Sequence, residues 1–154
     1  MDINLKNYKL IKLHEKNLNH LYFIKNLFND EEVVKYLGHL DNDLTNTYII
    51  VNNDCYIGYL SMSNIITNNQ NLTSITLYYA IDKRYRNKSH ASNVLLEVSE
   101  HLLNTVDMLV LMIDINNDSS SKVAKKAEFK EEFRDDEDII YTKYKNIKPI
   151  KQLW

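Results

Sequence analysis

The sequence is short of the residues that usually shape loops and cross-link small folds: it has two glycines, one proline and one cysteine in 154 residues. With Cys55 as the single thiol, an internal disulfide is excluded and a reducing compartment is favoured. No apolar run approaches the ~18 residues that a membrane span needs, and the first residues lack a basic segment followed by an apolar one. These absences predict a cytoplasmic, soluble protein without a membrane partner.

Glycine is so scarce that other residues must form the turns. Asparagine and aspartate adopt a positive φ most readily after glycine, and they cluster at residues 52–54, 68–71 and 135–138. We therefore expect turns at these three places. A compositional bias of the source genome explains the preference at least as well as any function does.

The length and the charge balance limit the class of protein. Apolar residues make up 44% and charged residues 26%, which is typical of a globular protein, and the length predicts a single domain over 1–154. The net charge of −2 argues against a nucleic-acid partner, although a basic patch lies at residues 83–88.

Apolar periodicity and turn residues divide the chain into helices and strands. The predicted strands cover residues 8–13 (an edge strand), 48–52, 55–63, 73–81, 108–113, 129–134 and 139–144, and the predicted helices cover 18–28, 31–37, 91–102 and 119–127. The strand–helix–strand unit from 73 to 113 predicts a parallel pair with a right-handed crossover. The fold class is therefore α/β (α+β), a central mixed, mostly antiparallel sheet of about seven strands flanked by about four helices.

Several single residues carry expectations of their own. Cys55 is expected to be a small core residue rather than a nucleophile. The histidines lack the spacing of metal ligands, so no metal site is predicted. The predicted buried face of the first helix consists of its apolar residues: Leu18, Leu21, Tyr22, Ile24 and Phe28.

Two junctions between a strand and a following helix carry the functional signal. The first is the basic segment from Arg84 to Ala91, and the second is Asn117-Asp118-Ser119-Ser120. A helix N-terminus offers free N–H groups and the positive end of a dipole to an anion. Two such junctions in succession suggest a phosphate-bearing cofactor that is bound at one end and reacts at the other. Taken by itself, the first junction is more simply a solvated basic turn.

The segment from Arg86 to Ala91 resembles a motif of the GCN5-related N-acetyltransferase (GNAT) family: Arg or Gln, two residues, Gly, one residue, then Gly or Ala. Residues 117–129 are similar to the family's Asn, two residues, Ser and a helix that ends in Gly-Phe. The resemblance covers roughly residues 8–144 and lies with the branch that modifies ribosomal protein N-termini and related amines. It implies transfer of an acetyl group from acetyl-CoA to a primary amine of a small molecule or a protein N-terminus.

The same resemblance implies roles for individual residues. Ser120 is the implied catalytic residue, which donates a proton to the departing thiolate, and Asn117 binds a pantetheine carbonyl. Arg86 and Lys88 supply charge to the pyrophosphate, and the strand before the loop pairs with pantetheine. The implied cofactor-binding set is Tyr79, Ala80, Ile81, Arg86, Asn87, Lys88, Ser89, His90, Ala91 and Asn117. A helix cap is predicted at one of the serines at 119–121 in any case, with chemistry at Ser120 a separate question.

Some family positions hold other residues here. Asn87 and Ser89 replace the loop glycines, and Glu128 replaces the glycine of Gly-Phe; Asn87 tolerates a left-handed φ and Ser89 adds a hydroxyl. Ala124 replaces the tyrosine acid, and Thr76 replaces a carboxylate on the strand. These replacements motivate an alternative, an acyl-CoA-binding module without turnover. A structural interaction domain without any cofactor is a third, weaker alternative.

The acceptor amine is expected near the early helices. An acidic mouth there would attract a cationic amine, although ordinary solvated surface charge is the stronger explanation. The residues concerned are Glu31, Glu32, Tyr36, Asp41 and Asp43. Glu31, Glu32 or Asp114, acting through water, is the candidate base. The last hairpin and the tail to Trp154 can pair between subunits, so a homodimer is compatible with the sequence.

Overall fold

The computed structural model describes residues 1–146, which form one mixed sheet with helices on both faces. The strands are β1 (Ile3–Asn4), β2 (Lys9–Lys12), β3 (Thr47–Asn52), β4 (Cys55–Met62), β5 (Ile66–Thr67), β6 (Thr73–Ile81), β7 (Met108–Asp114), β8 (Lys130–Arg134) and β9 (Asp138–Tyr144). The helices are α1 (Leu18–Leu27), α2 (Glu31–Leu37), α3 (His90–Leu102) and α4 (Asp118–Lys126), with a 3-10 turn at Lys83–Tyr85. The tail to Trp154 lies outside the described residues, so pairing between subunits stays a prediction.

The strands run across the sheet in the order β1-β2-β3-β4-β6-β7-β9-β8, and β5 pairs with β6 off this path. The predicted fold class and element order are confirmed, but nine strands are present rather than about seven. The two additional strands, β1 and β5, have two residues each and are too short to show a period. Since β1 pairs with β2, the strand predicted over 8–13 does not form the edge of the sheet.

The turns use asparagine and aspartate as predicted. Asn53 and Asp54 join β3 to β4 with φ values of 49° and 63°, and Asn71 has a φ of 62° before β6. A two-residue hairpin turn with a positive φ at both residues matches the twist of the flanking strands. Gly38 ends α2 with a φ of 77°, as a glycine at a helix C-terminus commonly does.

One parallel pair determines the shape of the sheet. β6 and β7 are parallel neighbours only from Ser74↔Met108 to Thr76↔Val110. Beyond that point β6 remains paired with β4 as far as Ile81, while β7 remains paired with β9 as far as Asp114. The two strands therefore separate, and the sheet opens between residues 77–81 and 111–114.

The core has a part on each face of the sheet. Helices α3 and α4 cover one face, where Leu95 and Val98 pack with Leu77 and Leu111. Helices α1 and α2 cover the other face through a smaller cluster that includes Ile24, Val33, Ile49 and Ala80.

The predicted buried face of α1 is wrong in part: Ile24 is buried and Phe28 packs against the core as predicted, but two other members of the face are exposed. Leu18 and Tyr22 are 79% and 76% exposed, whereas Phe23, Ile24 and Leu27 are buried. The buried residues are spaced by one and three positions, which places them on one side of the helix. The sequence contains two overlapping apolar faces, and contact with β4 selects this one.

Cys55 is also not a core residue, because its side chain is exposed. It is the first residue of β4 and pairs with Asn52 at the end of the hairpin. Among residues 1–146, no helix combines the length and the apolar character that crossing a bilayer requires.

Candidate active site

The opening between β6 and β7 is the floor of a cleft of about 310 Å³. Helix α2 lies at one side of this cleft, and the loop after β6 and the first turns of α3 and α4 lie at the other. The structure brings together ten of the eleven residues in the implied site: Tyr79, Ala80, Ile81, Arg86, Asn87, Ser89, His90, Ala91, Asn117 and Ser120 all line the cleft. Lys88 is exposed and is not among the lining residues.

The backbone groups of β6 alternate between its two edges. The carbonyl of Thr76 accepts a hydrogen bond from the Ser63 N–H at 2.9 Å, so Thr76 faces the β4 side. Counting two residues at a time, Ala80 faces β4 as well, whereas the N–H and C=O of Tyr79 face the opening. Tyr79 therefore presents a strand edge to an extended ligand, while Ala80 borders the cleft without directing a backbone group into it.

The loop after β6 adopts the conformation that the replaced glycines would require. Asn87 and Ser89 have φ values of 60° and 64°, both in the left-handed region. Ser89 precedes α3 and makes no side-chain capping bond, so the first N–H groups of that helix have no side-chain cap. Such amides at the positive end of a helix dipole suit an anion. The ring of His90, the first residue of α3, is bonded through Nδ1 to the Tyr8 hydroxyl at 2.8 Å.

Arg86 lines the cleft, but its guanidinium is paired with carboxylates of the protein itself. Its Nη2 lies 3.0 Å from a carboxylate oxygen of Asp30, its Nη1 lies 2.9 Å from one of Glu32, and its Nε donates to the Ile81 carbonyl at 2.9 Å. The guanidinium is therefore neutralised and ties α2 to the end of β6. It is a structural link in this conformation rather than a free cation for a pyrophosphate.

Two more cations line the cleft from α4. Lys122 and Lys126 both line it, one helical turn apart, and the Nζ of Lys126 donates to the Ser89 hydroxyl at 2.8 Å. The sequence interpretation missed both residues, since it looked for positive charge only in the basic loop. Their spacing by four positions, just after Asn117, was the available signal.

Asn117 and Ser120 form one unit at the start of α4. The Asn117 side chain accepts from the Ser120 N–H at 3.2 Å through Oδ1 and donates from Nδ2 to the Ser120 Oγ at 3.0 Å. The predicted cap at a serine of 119–121 is therefore wrong. The helix begins at Asp118, which makes Asn117 the capping residue.

A buried phenol adjoins this unit. The Tyr79 hydroxyl is fully buried and has no hydrogen-bond partner within residues 1–146. Burial raises the pKa of the Tyr79 phenol to about 12, and the Ser120 hydroxyl beside it opposes part of that rise. The sequence assigned a role only to the backbone of Tyr79 and missed its side chain.

The acceptor side of the cleft contains part of the predicted acidic mouth. Glu32 and Tyr36 line the cleft, but Glu31, Asp41 and Asp43 do not. Tyr78, Met112 and Asp114 also line the cleft. The sequence did not predict that Tyr78 and Met112 would do so.

Asp114 is the best placed of the three candidate bases. Its Oδ1 accepts from the Asn116 N–H at 2.8 Å, and it forms no salt bridge within residues 1–146. Glu32 is engaged by Arg86, and Glu31 does not line the cleft. Within the same part of the chain, no cluster of three or more potential metal ligands is present.

A family model described as the acetyltransferase (GNAT) domain matches residues 9–130. The chain belongs to the GNAT family. This confirms the resemblance seen in the loop after β6 and in residues 117–129. A comparison with curated proteins finds no match.

Solved structures of GNAT proteins have the same fold. An acetyltransferase of this family from Bacillus anthracis has a TM-score of 0.77 at 12% identity, covering 94% of this chain and 99% of its own. The ribosomal L7/L12 alpha-N-protein acetyltransferase RimL has a TM-score of 0.73 at 16% identity, with 94% of each chain covered. Spermidine N-acetyltransferase from Vibrio cholerae, in complex with CoA and spermine, has a TM-score of 0.71 at 14% identity, covering 90% and 96%.

Proposed function

We propose that this GNAT protein transfers an acetyl group from acetyl-CoA to a primary amine of a small molecule or of a protein N-terminus. The observation that carries the proposal is the opening between β6 and β7, which lies beside a left-handed loop and the start of α3. A strand edge, a set of amides at a helix N-terminus and two lysines all border one cleft.

The chemistry of the lining fits the donor substrate. Pantetheine contains amide groups, which pair with an exposed strand edge such as that of Tyr79. A pyrophosphate is an anion, which suits the amides at residues 87–91 and the charges of Lys122 and Lys126. Acetyl-CoA, when bound, supplies an acetyl thioester that a neutral amine can attack.

Residues around the opening provide three further functions: polarising the carbonyl, donating to the sulfur and accepting the proton of the amine. In this proposal the amide of Tyr79 polarises the thioester carbonyl, and the Ser120 hydroxyl donates a hydrogen bond to the sulfur as the carbon–sulfur bond breaks. Asp114, through a water molecule, is the base that accepts the proton lost by the amine as the carbon–nitrogen bond forms. An amine with a pKa near that of lysine needs such a base at pH 7.

The acceptor side favours a cationic amine. Asp114 and Glu32 contribute carboxylates to the cleft, and Tyr36 and Tyr78 contribute aromatic rings that attract a cation at close range. Among proteins of this fold, one is named for spermidine and another for a ribosomal protein N-terminus, so both kinds of amine belong in the first assay.

The experiment combines cofactor binding with thioester consumption. At a concentration 100 times Kd, acetyl-CoA should stabilise the protein by ~2.7 kcal/mol, which is a clear rise in Tm. Thioester consumption is then measured with spermidine, a peptide with a free N-terminus, an aminoglycoside and an amino sugar. If millimolar acetyl-CoA does not raise the Tm of a folded sample, the proposal is wrong.

Ser120→Ala tests the chemical role, with Ser121→Ala as the matched control one position further along α4. If Ser120 serves the thiolate, its loss should lower kcat about tenfold to a hundredfold and leave acetyl-CoA affinity nearly unchanged. Ser121→Ala should leave kcat alone. Equal rates for the wild-type protein and Ser120→Ala would exclude the serine as the donor.

The second candidate is an acyl-CoA-binding module that does not turn over. Two contacts favour it. The guanidinium of Arg86 is paired with carboxylates, and the ammonium of Lys126 already donates a hydrogen bond to Ser89, so both cations have partners before a pyrophosphate binds. Acetyl-CoA binding without thioester consumption across the amine panel would support this candidate over the enzyme.

A further inference from the structure

The Tyr79 phenol is a buried polar group that the proposed reaction has not used. Its oxygen lies within the protein between β6 and α4, with no hydrogen-bond partner within residues 1–146. A buried hydroxyl without a partner is costly, and most such groups in folded proteins are satisfied. It lies beside Ser120, the proposed hydrogen-bond donor to the sulfur, and this position suggests a function for the phenol.

The arrangement around Ser120 leaves room for one more bond. A serine Oγ can accept two hydrogen bonds and donate one. Asn117 Nδ2 supplies one of the accepted bonds at 3.0 Å. Within residues 1–146 the second accepting position and the hydroxyl proton have no partner, and the Tyr79 phenol, which lies beside Ser120, has a proton to donate.

The backbone and the side chain of Tyr79 contact different parts of the site. Its backbone N–H and C=O face the opening between β6 and β7, while its ring packs on the side of the sheet that α3 and α4 cover. A thioester held along the Tyr79 backbone therefore lies close to both hydroxyls. Because hydrogen bonds of this kind are often long before the substrate binds, the absence of a formed bond in the free protein is compatible with one in the complex.

We propose that Tyr79 is a positioning residue: its hydroxyl donates to the Ser120 Oγ when the thioester is bound and so directs the Ser120 proton at the sulfur. No bond to Tyr79 is made or broken in this role. Asn117 and Tyr79 occupy both accepting positions of the serine, which leaves the sulfur as the acceptor for its proton. Burial raises the pKa of the phenol to about 12, so it stays protonated and able to donate throughout the neutral range.

This inference rests on the proposed function, but its deciding measurement, the pKa of the bound CoA thiol, needs only CoA binding and no acceptor. The thiol of CoA in a stoichiometric complex is titrated by the ultraviolet absorbance of its thiolate. Donors aimed at the sulfur stabilise the thiolate and lower the pKa of that thiol. Tyr79→Phe should raise the thiol pKa by about half a pH unit and reduce kcat about five- to tenfold.

The chain offers a matched control for a merely structural effect. Tyr141 carries the other fully buried hydroxyl that lacks a partner within residues 1–146, and it is a residue of β9 that does not line the cleft. Both Tyr→Phe variants remove an unpartnered buried hydroxyl, so both should keep or raise Tm. Tyr141→Phe should leave the thiol pKa and kcat at the wild-type values.

A double variant distinguishes a Tyr79 hydroxyl that acts through Ser120 from one that donates to the sulfur independently. If Tyr79 acts only through Ser120, adding Tyr79→Phe to Ser120→Ala should shift the thiol pKa no further. An unchanged thiol pKa in Tyr79→Phe, an equal shift in Tyr141→Phe, or a full additional shift in the double variant would each overturn the proposal. Failure of the wild-type protein to bind CoA would overturn the proposed function, and this inference with it, before any variant is made.

Discussion

Glu128 holds a backbone conformation that glycine would hold at lower cost. It follows α4 with a φ of 71°, and its N–H donates to the Lys125 carbonyl at 3.0 Å. The next N–H, that of Phe129, donates to the Ala124 carbonyl at 3.0 Å. Phe129 and Ala124 are both buried. This pair of bonds is the Schellman arrangement, in which the left-handed residue is usually glycine.

The expected effect of Glu128→Gly follows from two opposing terms. The left-handed conformation costs a residue with a Cβ roughly 1–2 kcal/mol, and glycine removes that cost. Glycine also adds freedom to the unfolded chain, which lowers stability by roughly 0.4–1 kcal/mol. The replacement further removes a carboxylate from the negative end of the helix dipole. The free energy of unfolding should therefore rise by ~1 kcal/mol, and Tm by about 2–4 °C for a chain of this length.

Urea denaturation and thermal melting of the free protein measure this change, with two controls. Glu128→Ala removes the carboxylate but keeps the Cβ, so its stability should change by less than ~0.5 kcal/mol. Lys125→Gly places glycine inside the same helix at an exposed position, where it should cost ~1 kcal/mol. If Glu128→Gly destabilises as much as Lys125→Gly does, the left-handed conformation at Glu128 is not the one adopted in solution.

Three further predictions concern the loop, a buried histidine and a close strand contact. Ser89→Gly should bind acetyl-CoA as tightly as the wild-type protein or more tightly, whereas Ser89→Asp should weaken binding at least about tenfold by calorimetry, because it places a negative charge at the anion site. Burial lowers the pKa of His20, so below about pH 6.5 the unfolded chain takes up more protons and stability falls as pH falls. His20→Asn should abolish that slope in denaturation measured between pH 5 and 7, and the exposed His101→Asn should keep it. Gly58→Ala should cost about 3 kcal/mol or more, since a Cβ there would lie 2.4 Å from the Ala80 carbonyl oxygen; a stable, folded Gly58→Ala protein would contradict this.

The conformation of the loop could be predicted from the sequence because it is a local property. The family's usual glycines fall at the positions of Asn87, Ser89 and Glu128, and all three residues have a positive φ. A backbone that must fold in one way imposes the same φ on whatever residue is present. Asparagine tolerates that φ at modest cost, and serine and glutamate are held there by their surroundings.

The choice of partners by charged side chains could not be predicted in the same way. Arg86 occupies the motif position, but Asp30 and Glu32, more than fifty residues earlier, lie within 3.0 Å of it. Those two carboxylates reach the loop only because α2 packs over the end of β6. A long cationic side chain pairs with whichever anion the tertiary structure brings closest, and the local sequence does not contain that information.

The same reasoning explains why the Tyr79 side chain was missed although Tyr79 itself was named. Within β6 the residue has ordinary strand character, and its neighbours along the chain do not distinguish its ring from that of Tyr78. The distinction arises from the period of two in a strand, which turns Tyr78 towards the acceptor side and Tyr79 towards α4. Ser120 reaches the same point from a helix forty-one positions later, because the crossover through α3 and β7 returns α4 to the opening. The splayed parallel pair therefore brings Tyr79 of a strand and Ser120 of a helix to one cleft, whereas the position of the family's tyrosine, here Ala124, is fully buried and is not among the lining residues.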